Sequence, residues 1–268
     1  MFFPKKAKSL MDIFSYNRKA WDREVEKGNE WTQPVSSEII AEARQGRWQI
    51  VLTPTKPIPV EWYPPLPGAD VLCLASGGGQ QGPVLAAAGA NVTVLDASPR
   101  QLEQDCAVAA RDGLTLRTVE GDMADLSMFA AETFDLIIHP VSNVFAADVL
   151  PVWRAAFRVL RHGGALLAGF DNPVGYIFDH ELGKQNILQA RYALPYADDK
   201  ELTGDERQEF LDAGVPFEFS HTLTEQIGGQ IDAGFIIAGF YEDAYPPAAG
   251  HLLSRYLPPF IATRAIKP

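Results

Sequence analysis

Residues 70–170 alternate between strand-like and helix-like hydrophobic periods. Strands are predicted over 71–74, 92–95, 114–119, 134–139 and 165–170, the first a continuous apolar run of the kind buried in a parallel sheet. An Ala-rich helix over 80–88 is closed by Gly89, which takes the left-handed cap conformation at little cost. Ser98-Pro99-Arg100-Gln101 opens a second helix, with a serine cap, proline at the first helical position and glutamine three residues after the cap. It runs to about residue 112, where Gly113 ends it. A third helix, over 152–161, sets Trp153, Ala156, Phe157 and Leu160 on one face, and His162-Gly163-Gly164 turns the chain into the fifth strand. Such alternation implies a parallel sheet with helices on both faces.

The flanks follow other patterns. Leu10, Ile13, Phe14, Ala20, Trp21 and Val25 predict an amphipathic helix over 10–28, and a second helix is predicted over 36–45. An extended connector follows, with six prolines between Pro54 and Pro67. Tyr16, Trp21, Trp31, Trp48, Trp62 and Tyr63 crowd this region, either fastening it to the core or forming a lid over a ligand. Residues 172–221 break the alternation, with extended pieces predicted near 187–195 and 216–221 around a helix near 203–212. Thr222-x-x-Glu225 is a capping box for a helix to Ala233, and strands follow over 235–241 and 256–266.

Composition narrows the class. A chain of 268 residues with 47% hydrophobic and 21% charged residues suits a globular protein of one large domain, or one domain with a small cap. No apolar run reaches the roughly eighteen residues of a membrane span. The start, MFFPKKAKSLMDIF, lacks the apolar stretch and cleavage site of a signal peptide. The net charge of −11, with no long basic run after Lys5-Lys6, argues against a nucleic-acid partner and for a small-molecule one. Cys73 and Cys106 read as two buried thiols in a reducing cytoplasm. No His/Cys/Asp/Glu cluster has metal-ligand spacing, so no metal is expected.

The chemistry concentrates where the first strand ends. Gly77-Gly78-Gly79 lets the backbone approach a ligand at a helix N-terminus, and Asp96, ending the second strand, is placed to accept ribose hydroxyls. Read as Gly77-x-Gly79-x-x-Gly82, the turn is a dinucleotide fingerprint. In the frame Cys73-x-Ala75-x-Gly77-x-Gly79 it resembles motif I of the class I S-adenosylmethionine (SAM) methyltransferases, with Cys73 in place of an acid and Ala75 in place of the first glycine.

The succession of Asp96, Gly121-Asp122-Met123, Phe134-Asp135-Leu136-Ile137-Ile138, Arg161-His162-Gly163-Gly164 and the closing strand pair resembles that same family over residues 70–170 and the C-terminal end. The resemblance implies an α/β fold: a Rossmann-like, doubly wound, mostly parallel sheet of seven strands with an antiparallel last strand. It implies a SAM-binding domain over 70–268 and a cap made from 1–69 and the insertion 172–221. SAM is the implied cofactor and S-adenosylhomocysteine its product. Ala75, Gly77 and Gly79 fall beside the methionine portion, Asp96 with Ala97 at the ribose, Asp122 and Met123 at the adenine, and His139 beside the methyl group, while Gln101 either packs on the adenine or ribose or serves only the helix cap.

Methyl transfer to a small-molecule acceptor is then an in-line displacement that needs chiefly positioning. His139, ending the fourth strand, is the candidate proton acceptor, or else a pocket-shaping residue bonded to the backbone. Asn143 either orients the acceptor or caps the following turn. Asp171 points toward the same sheet edge, and His180 and His221 belong to the cap. Two alternatives stand beside this reading: an NAD(P)-dependent oxidoreductase using the Gly77-x-Gly79-x-x-Gly82 frame, and a non-catalytic SAM-binding protein.

Overall fold

The computed structural model describes residues 12–268. Leu10 and Lys5-Lys6 therefore lie outside the described residues. Seven strands form one sheet: β1 (Asp70–Leu74), β2 (Asn91–Asp96), β3 (Leu116–Glu120), β4 (Phe134–His139), β5 (Leu160–Asp171), β6 (Ile236–Asp243) and β7 (Phe260–Ile266). Their order is β3-β2-β1-β4-β5-β7-β6. The first five run parallel, and β7 is antiparallel to both β5 and β6. This is the expected Rossmann-like sheet, with the last strand inserted between the fifth and sixth.

The continuous apolar run of β1 has a simple cause. Side chains alternate across a strand, and both faces of this one are covered. Val71 and Cys73 enter a core with Val84 and Leu85 of α3 (Gln81–Ala87), Leu102 and Val108 of α4 (Pro99–Asp112), and Ile40 of α2 (Ser37–Arg44). Leu72 and Leu74 enter the opposite core with Val152, Trp153 and Ala156 of α5 (Leu150–Val159). Ser98 caps α4 by accepting the Gln101 N–H, and Gly113 closes it with φ +63°. Burial separates the two thiols: Cys73 is inside, but Cys106 lies on the exposed side of α4, contrary to expectation.

Several boundaries move for local reasons. Helix α5 stops at Val159 because Leu160 already pairs with Phe134 of β4. Strand β7 begins at Phe260, since Pro258 and Pro259 have no N–H for a ladder. The Thr222/Glu225 box forms in both directions, at 2.8 and 3.2 Å. The helix behind it opens as a π turn, Thr224–Gly228, before the short α9 (Gly229–Asp232). There the Trp153 indole donates to the Glu225 carbonyl at 3.0 Å, drawing that acceptor out of the α-helical ladder.

The insertion holds a 3-10 helix, Pro173–Ile177, and three α-helices, α6 (His180–Lys184), α7 (Asp198–Glu201) and α8 (Gly204–Ala213). The two extended pieces expected there shrink to the single bridges Phe178↔Ala190 and Ala197↔Phe219. Asn17 of α1 (Ile13–Lys27) ties this insertion to the N-terminal region. Its side chain donates to the Phe217 carbonyl at 2.9 Å and accepts the Phe217 N–H at 2.8 Å. Helix α1 and residues 215–217 thus stand together beside the C-terminal ends of the strands.

Candidate active site

The turn leaving β1 is held by an acid of the next strand. Asp96, at the tip of β2, accepts the Gly77 N–H at 3.0 Å and the Ser98 N–H at 2.9 Å. The latter replaces the reciprocal half of the predicted cap, since Gln101 does not reach back to Ser98. A Cβ on Gly77 would stand 2.7 Å from Cβ of Gln101 and 3.1 Å from Oδ2 of Asp96, so only glycine fits there. Ala75 adopts φ +47°, the left-handed conformation that glycine takes freely. Burial pushes the Asp96 carboxyl up to about 6, against the backbone N–H groups of Ser98 and Gly77.

This turn forms one end of a cavity of about 750 Å³, within the range of small-ligand sites. Ala75, Gly77, Asp96, Ala97, Gln101, Asp122 and Met123 all line it. Asp122 bends the loop after β3 by accepting the Ala124 N–H at 2.8 Å. Gln101 adds a buried side-chain oxygen with no partner at the same end. The other end is more apolar. Trp21 of α1 packs edge-on against Phe145, ring centroids 5.0 Å apart, and both line the cavity. The proline connector completes the wall, its Leu52 carbonyl accepting the Val141 N–H at 3.0 Å. The dense aromatics accordingly divide: Trp21 and Trp31 face the cavity. Trp62 and the Trp48–Tyr63 pair fasten the connector to the core.

Two carboxylates face the apolar end. Asp171, ending β5, and Glu218, from the insertion, both line the cavity and share the Tyr176 hydroxyl at 3.1 and 2.7 Å. A phenol has one proton, so it can donate to only one of them at a time. Burial pushes Asp171 up to about 6 and Glu218 up to about 7, the latter raised further by the charge of Asp171. Glu218 carries a period-two signal: in Phe217-Glu218-Phe219 the single acid faces opposite two buried rings.

Three expected site residues do not reach the cavity. His139 is fully buried against Trp153, its Nδ1 2.9 Å from the Leu74 carbonyl, and burial pulls its pKa down to about 4. It is held as a neutral ring behind the cavity wall. Asn143 is also fully buried, with its amide bonded both ways to Gln226 at 2.9 and 3.3 Å. A polar chain continues from Gln226 through Gln230 to Thr263. Gly79 does not line the cavity, and a Cβ there would stand 3.0 Å from the Gln104 carbonyl and 3.1 Å from Cβ of Pro34. His221 donates to the Asn143 carbonyl at 3.2 Å, and His180 packs on Tyr192 and Tyr196. Asp135 pairs with Arg161 at 2.8 Å and accepts the Asp70 N–H at 2.9 Å.

Comparison with known proteins yields a consistent set. The methyltransferase domain family matches residues 72–168. The uncharacterized methyltransferase YbaJ of Bacillus subtilis (strain 168) is 52% identical over 255 residues, covering 95% of this chain and 98% of that protein. Among solved structures, a S-adenosylmethionine dependent methyltransferase from Mesorhizobium loti superposes with TM-score 0.60 at 18% identity, over 77% of this chain and 94% of that one. The [4+2]-cyclase SpnF superposes with TM-score 0.59 at 16% identity, over 96% and 97% of the two chains. At such identities the structural matches speak for the fold alone.

Proposed function

We propose that this chain, which belongs to the class I SAM-dependent methyltransferases, transfers a methyl group to a small-molecule acceptor held in the described cavity. The observation that carries this reading is that one cavity of about 750 Å³ joins the Ala75–Gly77 turn to the Asp171–Glu218 pair. The turn end suits an adenosyl compound. Gly77, free of a side chain, lets the turn close on Asp96 and Gln101 at the cavity wall, Gln101 offers a buried oxygen with no partner among the described residues, and Asp96 and Asp122 offer acceptors.

Bound there, SAM supplies a methyl group on a sulfonium centre, open to in-line displacement. On this reading Asp96 holds the ribose hydroxyls, with Ala97 and Gln101 beside them. Asp122 and Met123 hold the adenine, and Ala75 and Gly77 the methionine portion. Gly79 and His139 support this end from behind. Residues 12–69 and the insertion 172–221 form a cap that orients the acceptor and excludes water, through Trp21, Phe145 and the Asn17 tie.

The acceptor is a small organic molecule with an N–H or O–H. Asp171 and Glu218 bind that group, and the pair takes the proton it loses, for which the raised carboxyls are suited near neutral pH. Among the described residues no helix is long and apolar enough to cross a membrane. Two unpaired thiols, one of them exposed, support a reducing cytoplasmic setting.

The test is incubation with methyl-labelled SAM and a cell extract split into macromolecular and small-molecule fractions. Label should enter a small molecule with stoichiometric S-adenosylhomocysteine, and Glu218→Gln should slow this by about 100-fold, the usual scale of a lost proton acceptor. Label entering only the macromolecular fraction, or none at all, contradicts the reading.

A further inference from the structure

Asp105 is fully buried in α4, behind the turn that leaves β1. Its Oδ2 accepts the Gly78 N–H at 3.1 Å, sharing that donor with the Gln101 carbonyl at 3.0 Å. Its Oδ1 has no partner, and lies 3.2 Å from where a Cβ on Gly82 would stand. Asp96 holds the adjacent Gly77 N–H. Two carboxylates thus grip two consecutive amides of one turn, and Gly77 lines the cavity.

A side-chain amide would accept the Gly78 N–H equally well. What the carboxylate adds is charge, and burying an unpaired charge is costly. Among the described residues no salt bridge reaches Asp105; the charge of Asp96 on β2 raises its pKa further, and the charge of Asp105 in turn helps to keep the Cys73 thiol of β1 protonated. β1 itself brings no charge to this place, so the negative charge behind the turn comes from α4.

We propose that Asp105 is a positioning residue of the cofactor site, which sets the Gly77–Gly78 turn and, with Asp96, supplies the negative charge that favours a sulfonium cofactor over its neutral thioether product. The proposal rests on the SAM reading of this cavity. Burial pushes the Asp105 carboxyl up to about 8 and Asp96 up to about 6. At about pH 7.5 Asp105 is therefore mostly protonated without ligand and Asp96 mostly ionised. A cation arriving at the turn favours the ionised form, so its binding expels a proton from Asp105.

Calorimetric titration at about pH 7.5, in two buffers of different ionisation enthalpy, reads both affinity and proton release. Wild-type protein should release clearly more protons on binding SAM than on binding S-adenosylhomocysteine. Asp105→Asn should abolish that difference and weaken SAM about tenfold, with S-adenosylhomocysteine weakened less than about threefold. Equal losses on both ligands, or an unchanged proton release, overturn the proposal. The wild-type comparison stands even if the variant does not fold: equal release by the two ligands overturns the proposal on its own. Wild-type protein that binds neither ligand overturns the cofactor reading itself, and the role of Asp105 with it.

Discussion

The carboxylate of Asp96 accepts the Gly77 N–H at 3.0 Å and so ties the tip of β2 to the turn leaving β1. Its other oxygen accepts the Ser98 N–H at 2.9 Å, adding the start of α4 to the same knot. Asp96→Ala removes both bonds at once. Hydrogen bonds to charged groups contribute about 1.5–3 kcal/mol each, partly offset here by relief of a buried charge. A net loss of about 1–3 kcal/mol is expected in urea unfolding, with an unchanged m-value.

The buried acids set the pH dependence of stability. The folded-state pKa of Asp105 is raised from 3.8 to about 8 and that of Glu218 from 4.5 to about 7, so the fold favours their protonated forms. Their contribution is present at low pH and is lost as pH rises through those values. His139 acts oppositely: its pKa falls from 6.5 to about 4, so stability rises across that lower window. Above pH 6.5 the histidine contribution fades and that of the acids dominates. The melting temperature of the ligand-free protein should fall between about pH 6.5 and 8.5, and Asp105→Asn should flatten that slope. A melting temperature that rises there would sink this prediction.

Ala75 sits at φ +47°, where an L-residue costs about 1–2 kcal/mol. Glycine removes most of that cost but adds unfolded-state entropy. Ala75→Gly should therefore stabilise the protein by about 0.5–1 kcal/mol, while Ala75→Val should destabilise it by more than about 1 kcal/mol. Chemical denaturation of the two variants side by side checks the sign of each.

His139 bonds the Leu74 carbonyl from a fully buried position. His139→Leu leaves that carbonyl without its side-chain partner, at a cost of about 1–3 kcal/mol. As the imidazole does not reach the cavity, the pH dependence of turnover should keep its shape, and only stability should move. Loss of one limb of the pH–rate profile in this variant would restore the histidine as the base.

The sheet is readable in the sequence because its central strands β1, β4 and β5 are apolar on both faces and its helices carry caps, as at Ser98 and Gly113. The turn end of the cavity is readable because its residues cluster at three strand tips, those of β1, β2 and β3. Other parts are hidden by longer-range effects. His139 does end β4, but its ring faces Trp153 in the helix layer, and alternation alone does not say which face of the tip opens to a cavity. Glu218 meets Asp171 only through the path of the insertion, which no local period describes. Asp105 did leave a trace. With Leu102 and Val108 it occupies the buried stripe of α4, and an acid on an apolar stripe asks for an explanation.

The central claim is that the Ala75–Gly77 turn and Asp96 hold S-adenosylmethionine. The direct measurement is calorimetric titration of the wild-type protein and Asp96→Ala with S-adenosylhomocysteine, NAD and NADP. Micromolar binding of S-adenosylhomocysteine alone, weakened at least 100-fold or about 2.7 kcal/mol by Asp96→Ala, is the predicted result. Binding of a nicotinamide dinucleotide, with none of S-adenosylhomocysteine, would contradict the account and make Gly77-x-Gly79-x-x-Gly82 the working frame of the turn.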